Sequence, residues 1–521
     1  MFQKIEQRIS KLQNSRQLHL LCGGKKGLEK ESLRVLPDGQ LAQTPHPEAL
    51  GSALTHPYIT TDYSEALLEL ITPPRNDVME TIDFMRAIHQ FIYAKVKDEF
   101  LWGTSMPCTV NREESIPIAE YGSSNVGQMK HVYLRGLATR YGRFRQLVSG
   151  VHYNYSFPSQ NWEQYQCLEE NRQPLQKFIT DAYFGLARNV LRYQWLITYL
   201  FGNSPALCKS FLNGRDSAFQ SLDPDTYYEP YATSLRISGL GHTNCNSPSL
   251  NVSYNNLDAY VCGLTHAIKT PYQPYVDKGV IINGEQWQLN ANILQMENEY
   301  YSAVRPKQPT RSGERPTMAL KKRGVQYVEI RLLDVDTFSP IAVNEMQLRF
   351  MEAFTLFCLL QDSPPLTPQE EAELSYNQKQ VATNGRMPGL KLRCYGRDIA
   401  FWSWAMDIMA QLDAVCEALD QDEPDHPYSK ALVHQKQLIR HSTLTPSAQI
   451  LAEIRVAGES FSSYVLHKSK EHKATLIGEP LPAEKRVLFK KEAKKSIEKQ
   501  RHLEERKEVS FESFLQSYLY V

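Results

Sequence analysis

The chain has 521 residues and a mass of 59.8 kDa, room for three or four domain-sized units at roughly 150 residues each, or for one large enzyme body. Its 58 Lys and Arg balance 58 Asp and Glu for a net charge of zero, so nothing advertises a nucleic-acid or anionic-membrane partner. With 42% apolar and 22% charged residues, 28 Tyr and 20 Phe, the composition is that of a globular protein and excludes the disordered, collagenous and coiled-coil classes.

The N-terminal stretch predicts an amphipathic helix, with Phe2, Ile5, Ile9 and Leu12 on one face, not the apolar core of a signal peptide, so a cytoplasmic protein is expected. Gly27 to Val35 reads as a strand with Glu29 and Glu31 on one face, because residues two apart point the same way. Two like charges that close repel, which a divalent cation would relieve; a solvent-facing charged edge is the competing reading. In ITTDYSEALLELIT, Glu69 sits within the apolar run Ala66, Leu67, Leu68, Leu70, Ile71. A buried carboxylate must be paired, protonated or metal-bound, and Asp62 and Glu65 lie upstream to join it; a structural ion pair explains the pattern equally. SGVHYNYSF alternates His152 and Asn154 against Val151, Tyr153 and Tyr155, with a merely hydrogen-bonded histidine as the plain alternative. The window from Phe184 to Gly202 contains Arg188, Arg192 and Gln194 and is expected to be a buried helix, since those charges would be costly in lipid.

Further on, NILQMENEYY adds to the alternating runs. The loop RPKQPTRSGER offers Arg305, Lys307, Arg311 and Arg315, able to close over an anionic substrate or simply to be solvated. In Val325 to Asp336, Tyr327, Glu329 and Arg331 share one face and Val328, Ile330 and Leu332 the other; Arg suits phosphate or carboxylate and Glu suits magnesium, while a cross-strand salt bridge is the alternative. Past Asn344 the period turns helical, and the charged tail from Glu484 to Glu508 predicts a solvated amphipathic helix. The expected class is α+β: one body over 1–521, with a sheet-rich catalytic core over 20–345 and a mainly helical layer over 346–521. Nine cysteines are scattered from Cys22 to Cys416 without a C-x-x-C pair or zinc spacing and are read as reduced thiols. There is no P-loop, no dinucleotide fingerprint, no H-E-x-x-H and no nucleophile elbow, so any use of ATP is without a P-loop. A sheet lined with Glu, Asp, His and Arg would instead make a magnesium-phosphate site.

These residues carry a resemblance. GLEKESLR, HPEALGSALTHPYITTDYSEALLELITP, SMPC, SGVHYNYS, YATSLRISGLGHTN, QMENEYYSAVRPK, TRSGE and YVEIRLLDVDTFSPI resemble the bacterial glutamate-cysteine ligase family, the first enzymes of glutathione synthesis, over most of residues 20 to 360; beyond that the match thins to pieces such as GRMPGL. The resemblance implies a glutamine-synthetase-like fold, an antiparallel sheet curled into a funnel with helices outside. It also implies that ATP phosphorylates the γ-carboxylate of L-glutamate and that the amine of L-cysteine displaces phosphate. Carried over by motif, Glu29, Glu31, Asp62, Glu69, His152 and Glu329 would hold magnesium, with manganese as a substitute, and Arg331 would neutralise the transferring phosphate beside Glu329. Arg236 would grip glutamate, and Tyr63, Tyr133, Leu137, Gln146 and Tyr301 would shape the cysteine pocket. The chain departs from the family at His242, where tyrosine is usual; at Leu134, where an arginine follows the pocket tyrosine; and at Lys30, expected to be a silent exchange for arginine. The first two touch acceptor preference, and a related ligase that uses another amine, or a protein that kept the fold without chemistry, are the competing readings. The resemblance further implies a monomer and feedback inhibition by glutathione.

Overall fold

A computed structural model describes residues 3–214, 217–241, 250–311, 313–506 and 509–520. Its principal sheet has seven strands: β1 (Lys25–Val35), β2 (Ile59–Thr61), β3 (Leu67–Ile71), β4 (Phe100–Leu101), β5 (Val151–Ser156), β6 (Val304–Lys307) and β7 (Tyr327–Leu333). The order is β6-β7-β5-β1-β3-β2, with β4 on the far end of β1, and every pairing is antiparallel. Because β1 lies in the middle, Glu29 and Glu31 stand on an interior strand and not on a solvent-facing edge. Alternation works as the sequence expects: Leu28, Leu68, Leu70, Tyr153, Tyr155, Val328 and Ile330 feed a core on one face, and the acids line the other. A bulge between β7 and β5 advances the register from Ile330↔Tyr153 to Leu333↔Val151. Such an extra residue bends the strand and re-aims its neighbours; here the neighbour is Arg331.

Helices cover the core face. The N-terminal helix α1 (Gln3–Asn14) buries Ile5, Ile9 and Leu12, as its period demands. Helix α2 (Val78–Tyr93) starts where the Asp77 carboxylate accepts the Glu80 N–H at 2.8 Å, and α3 (Asn125–Tyr141) where Ser124 caps Gly127. Helix α4 (Leu175–Phe201) is the apolar window, buried over most of its length. Arg188 donates to the carbonyls of Tyr254 and Ser363 at 3.0 and 2.7 Å, and Arg192 pairs with Glu370 at 2.7 Å. Among the described residues no helix is long and apolar enough to cross a membrane. Helix α5 (Glu345–Leu360) opens with a capping box between Asn344 and Gln347, and α6 (Phe401–Leu419) and α7 (Pro427–Arg440) come later in the chain, beyond a helix over Pro368–Asn384. The core joins both ends of the chain, from Ile5 to Phe489. A buried ion pair is set into it: Lys26 Nζ of β1 lies 2.7 Å from Glu352 of α5, and the Tyr428 hydroxyl of α7 donates to the same carboxylate at 2.7 Å.

Three expectations need correction. Residues 292–301 form no strand but bends and a short 3-10 turn at Glu297–Glu299, because both acids turn inward to partners: Glu297 takes Arg315 at 2.9 Å and Glu299 takes Arg140 at 2.9 Å. The basic loop begins as β6, so Arg305 and Lys307 belong to the sheet. The tail helix α8 (Ala483–Glu505) is amphipathic but docked: Phe489 is fully buried against Phe84, ring centroids 5.5 Å apart. Leu488, Ile497 and Leu503 stay half-buried. The described cysteines are all free.

Candidate active site

The polar face of the sheet gathers charge from neighbouring strands. Cross-strand partners in antiparallel ladders stand side by side, and β1 places Glu29 opposite His152 of β5 and Glu31 opposite Glu69 of β3. Potential ligand atoms of Glu29, His152 and Glu329 all lie within 4.8 Å of one another. His152 Nδ1 is 3.1 Å from Glu29 Oε2 and 3.6 Å from Glu329 Oε1, and its Nε2 is 3.6 Å from Glu31 Oε1. Asn154 donates to Glu29 Oε1 at 2.8 Å, while its own Oδ1 is buried with no hydrogen-bond partner. On β7, Arg331 pairs with Glu329, two residues earlier on the same face, and its Nη1 reaches within 3.2 Å of His152 Nδ1. Lys307 of β6 crosses to Glu329 Oε2 at 2.5 Å. The salt-bridge reading of Glu329 is therefore realised, with Glu29 and His152 close beside it.

Burial and crowding set the protonation of this cluster. Burial, and then Arg331, pull His152 down to about 4, so at neutral pH it is an uncharged imidazole with a lone pair to offer. Burial, helped by Asp62, raises Glu31 to about 7. Glu69 is pushed well above the carboxylate range by burial and by the nearby Glu29, Asp62 and Glu31; burial raises Asp62 as well. Burial opposes ionisation of Glu329 too, yet Lys307 and Arg331 outweigh it and hold that carboxyl well below its usual range. For Glu29, burial and Glu329 are likewise overcome, by the His152 hydrogen bond and charge and by Lys307. Burial thus raises Glu31, Asp62 and Glu69, with repulsion from neighbouring acids added at Glu31 and Glu69, while neighbouring cations and His152 lower Glu29 and Glu329. Hard oxygens, a neutral imidazole and an orphaned amide oxygen beside Glu29 form a donor set that suits a divalent ion such as magnesium.

A narrow cavity of about 100 Å³ opens next to the cluster, lined by Glu31, Asp62 and Arg331 on one side and by Tyr133, Leu137, Gln146 and Tyr301 on the other. The structure thus brings together nearly every residue marked in the sequence for metal and for an acceptor pocket. Arg236 lies close by, its guanidinium resting on Gly150, donating to the Arg331 carbonyl at 2.9 Å and pairing with Asp334 at 3.4 Å. A larger cavity of about 910 Å³ adjoins through Tyr301 and carries none of Glu29, Glu31, Glu69 or Glu329.

Other marked residues fall elsewhere. Tyr63 is fully buried in the second hydrophobic cluster: it faces opposite to Asp62 and packs behind the cavity without lining it. Glu65 turns away, accepting the N–H groups of His46 and Glu120 at 2.5 and 2.6 Å. Arg311 is exposed beyond the end of β6, and Arg315 is held by Glu297. Leu134 is buried in the second cluster, and His242 lies outside the described residues. Lys30 is buried, 2.8 Å from His89 Nε2, and burial pulls it down to about 7. Sequence reasoning missed Lys130, whose ammonium is lowered by burial and held up by Glu69 and Asp62. A signal existed, since Lys130, Tyr133 and Leu137 recur at helical spacing on α3. It also missed Glu299 and Arg145, which line the cavity; neither lies in an alternating run of the observed sheet.

Comparison with known proteins agrees with this geometry. A family model described as Glutamate-cysteine ligase matches residues 9–381. The chain is 44% identical over 522 residues to a glutamate–cysteine ligase of Alcanivorax borkumensis, covering 99% of each chain, and 47% identical over 492 residues to one of Pseudomonas putida, covering 94% of each. Among solved structures, a glutamate–cysteine ligase of Francisella tularensis in complex with AMP superposes with a TM-score of 0.89 at 34% identity, over 96% of this chain and 98% of that one. A bifunctional glutathione synthetase of Pasteurella multocida follows at a TM-score of 0.71 and 25% identity, over 91% of this chain and 55% of that one.

Proposed function

The chain belongs to the glutamate–cysteine ligase family, and from that premise we propose how its residues divide the work of the reaction. ATP phosphorylates the γ-carboxylate of L-glutamate, and the amine of L-cysteine then displaces phosphate to give γ-glutamylcysteine, the first step of glutathione synthesis. A carboxylate is a poor electrophile at neutral pH; its mixed anhydride with phosphate carries a leaving group, so the enzyme's task is to bring anions together and exclude water.

Glu29, Glu31, Asp62, Glu69, His152 and Glu329 would hold magnesium, and manganese in its place. A divalent ion held there would supply positive charge that lowers the repulsion between nucleotide phosphates and the incoming carboxylate. Arg331, oriented by Glu329 and by the bulge in β7, neutralises charge on the transferring phosphoryl group, with Arg305 and Lys307 as further cations along the same face and exposed Arg311 on the loop beyond them. Arg236, anchored by Asp334, grips glutamate. Tyr133, Leu137, Gln146 and Tyr301 form the acceptor wall, and Tyr63 supports it from behind. Lys130 offsets the charge of Glu69 and Asp62. The observation that carries this reading is the cluster of Glu29, His152 and Glu329 with Arg331 beside it, the arginine also lining a cavity of about 100 Å³ together with Glu31 and Asp62. The same proposal includes one cytoplasmic, monomeric body with its catalytic core over 20–345 and a helical layer over 346–521, and feedback inhibition by glutathione at the glutamate site that raised glutamate relieves.

The test is to incubate the protein with magnesium, ATP and glutamate plus cysteine, 2-aminobutyrate or no acceptor, measuring ADP and γ-glutamyl product by mass. ADP matched by γ-glutamylcysteine is expected. Better product from another amine would move the acceptor assignment, and no turnover with any acceptor would refute the ligase reading. The Glu329→Gln variant is expected to lose both ADP release and the rise in Tm that magnesium with ATP gives the wild type; an unchanged rise would remove Glu329 from the metal site.

A further inference from the structure

Three arginines line the narrow cavity: Arg145, Arg305 and Arg331. Two are committed. Arg331 pairs with Glu329, and Arg305 donates to the Asn298 carbonyl at 3.0 Å and to that of Tyr300. The half-buried guanidinium of Arg145 has no hydrogen-bond or ion-pair partner among the described residues. The backbone puts it there. Gly142, at φ +82°, ends α3, and the short turn Phe144–Leu147 that follows buries Phe144, Gln146 and Leu147 and leaves Arg145 half-buried, lining the cavity beside Gln146. Nearby arginines are tied down: Arg143 donates to the Ile116 carbonyl at 3.0 Å and Arg140 pairs with Glu299. Glu299 also lines the cavity and could have answered Arg145. Its oxygens are already taken by Arg140, by the Tyr141 hydroxyl at 2.8 Å and by the Gln295 N–H at 2.7 Å.

An unanswered guanidinium in a partly dry pocket is a receptor for a carboxylate, which it binds with a two-pronged, charge-assisted fork. The acceptor in the ligase reading is an α-amino acid: its amine reacts, its side chain meets the Tyr133 and Leu137 wall, and its carboxylate needs a cation that the phosphoryl chemistry does not use. We infer that Arg145 is the specificity-determining residue that binds the α-carboxylate of the acceptor amino acid; the inference rests on the ligase reading of the same site.

The test compares wild type, Arg145→Met and Arg145→Lys with L-cysteine and with cysteamine, which lacks the carboxylate, at saturating glutamate and ATP. The Met variant is expected to raise KM for cysteine roughly 10- to 100-fold, the range of a lost charge-assisted hydrogen bond, with kcat changed little and KM for glutamate and ATP within about twofold. The preference for cysteine over cysteamine should shrink by the same factor, and Lys should recover part of it. An unchanged KM for cysteine, an equal loss with both acceptors, or a rise confined to KM for glutamate would each overturn the assignment while leaving the ligase reading intact. A wild-type enzyme that makes no γ-glutamylcysteine would overturn both.

Discussion

The hold on Arg236 can be tested without touching Arg236. Gly150 is not at positive φ, so alanine is permitted by the backbone, but its Cβ would stand 2.2 Å from Arg236 Nη2 and 2.7 Å from Cζ. The guanidinium must retreat from 2.2 Å to the 3.4 Å of ordinary contact, a move of about 1.2 Å. That exceeds the slack in its 2.9 Å bond to the Arg331 carbonyl. Misplacing a binding group by about 1 Å costs on the order of 100-fold in rate, whereas the yielding atoms are the end of a flexible side chain, so the fold loses only about 1 to 3 kcal/mol. Gly150→Ala is therefore expected to lower kcat/KM for glutamate about 100-fold, read as ADP release at varied glutamate, with Tm down by a few degrees at most. In an Arg236→Ala background the clash is gone and Gly150→Ala should cost almost nothing more. A single variant within threefold of wild type, or full additivity in the double variant, would refute both the clash and the role given to Arg236.

The buried Lys26 and Glu352 pair predicts an asymmetric loss: Lys26→Met strands the Glu352 carboxylate with only the Tyr428 hydroxyl and should cost about 3 to 5 kcal/mol in urea unfolding. Adding Glu352→Gln should recover more than half, and a single variant costing under about 1 kcal/mol would contradict the pairing. His56 is buried and accepts the Tyr58 and Ile59 N–H groups at 3.1 and 2.9 Å on Nδ1, and burial draws it down to about 4. Its unfolded form takes a proton near pH 6.5, so the stability it contributes is complete above pH 6.5 and lost as pH falls toward 4, at up to about 1.4 kcal/mol per unit. His56→Asn keeps the acceptor and should flatten that part of the stability profile; an identical pH slope in variant and wild type would show that His56 does not titrate there.

Alternation made much of the site legible. A strand repeats every two residues whatever lies beside it, so Glu29 with Glu31, His152 with Asn154 and Glu329 with Arg331 could be placed on common faces from the chain alone. The failures have one origin. NILQMENEYY alternates as a strand does, yet Glu297 and Glu299 are each claimed by an arginine distant in sequence, and the backbone turns to deliver them. Tyr63 neighbours Asp62 but faces the second core. Arg305 and Lys307 look like a loop because Pro306 lies between them, although on β6 proline fills the buried side of the strand.

By itself the sequence determined the α+β class, the family, the polar faces of the strands and the buried α4. The family rests on the resemblance of its motifs, and the others follow from local period. Only the tertiary structure decided that β1 is central and not an edge, that the bulge aims Arg331 at His152, that Lys130 closes the acid cluster, that Glu299 is spoken for and that Arg145 is not. Whether a charge finds a partner depends on which strands and turns become neighbours, and chain closure over hundreds of residues sets that, not the spacing along any one of them.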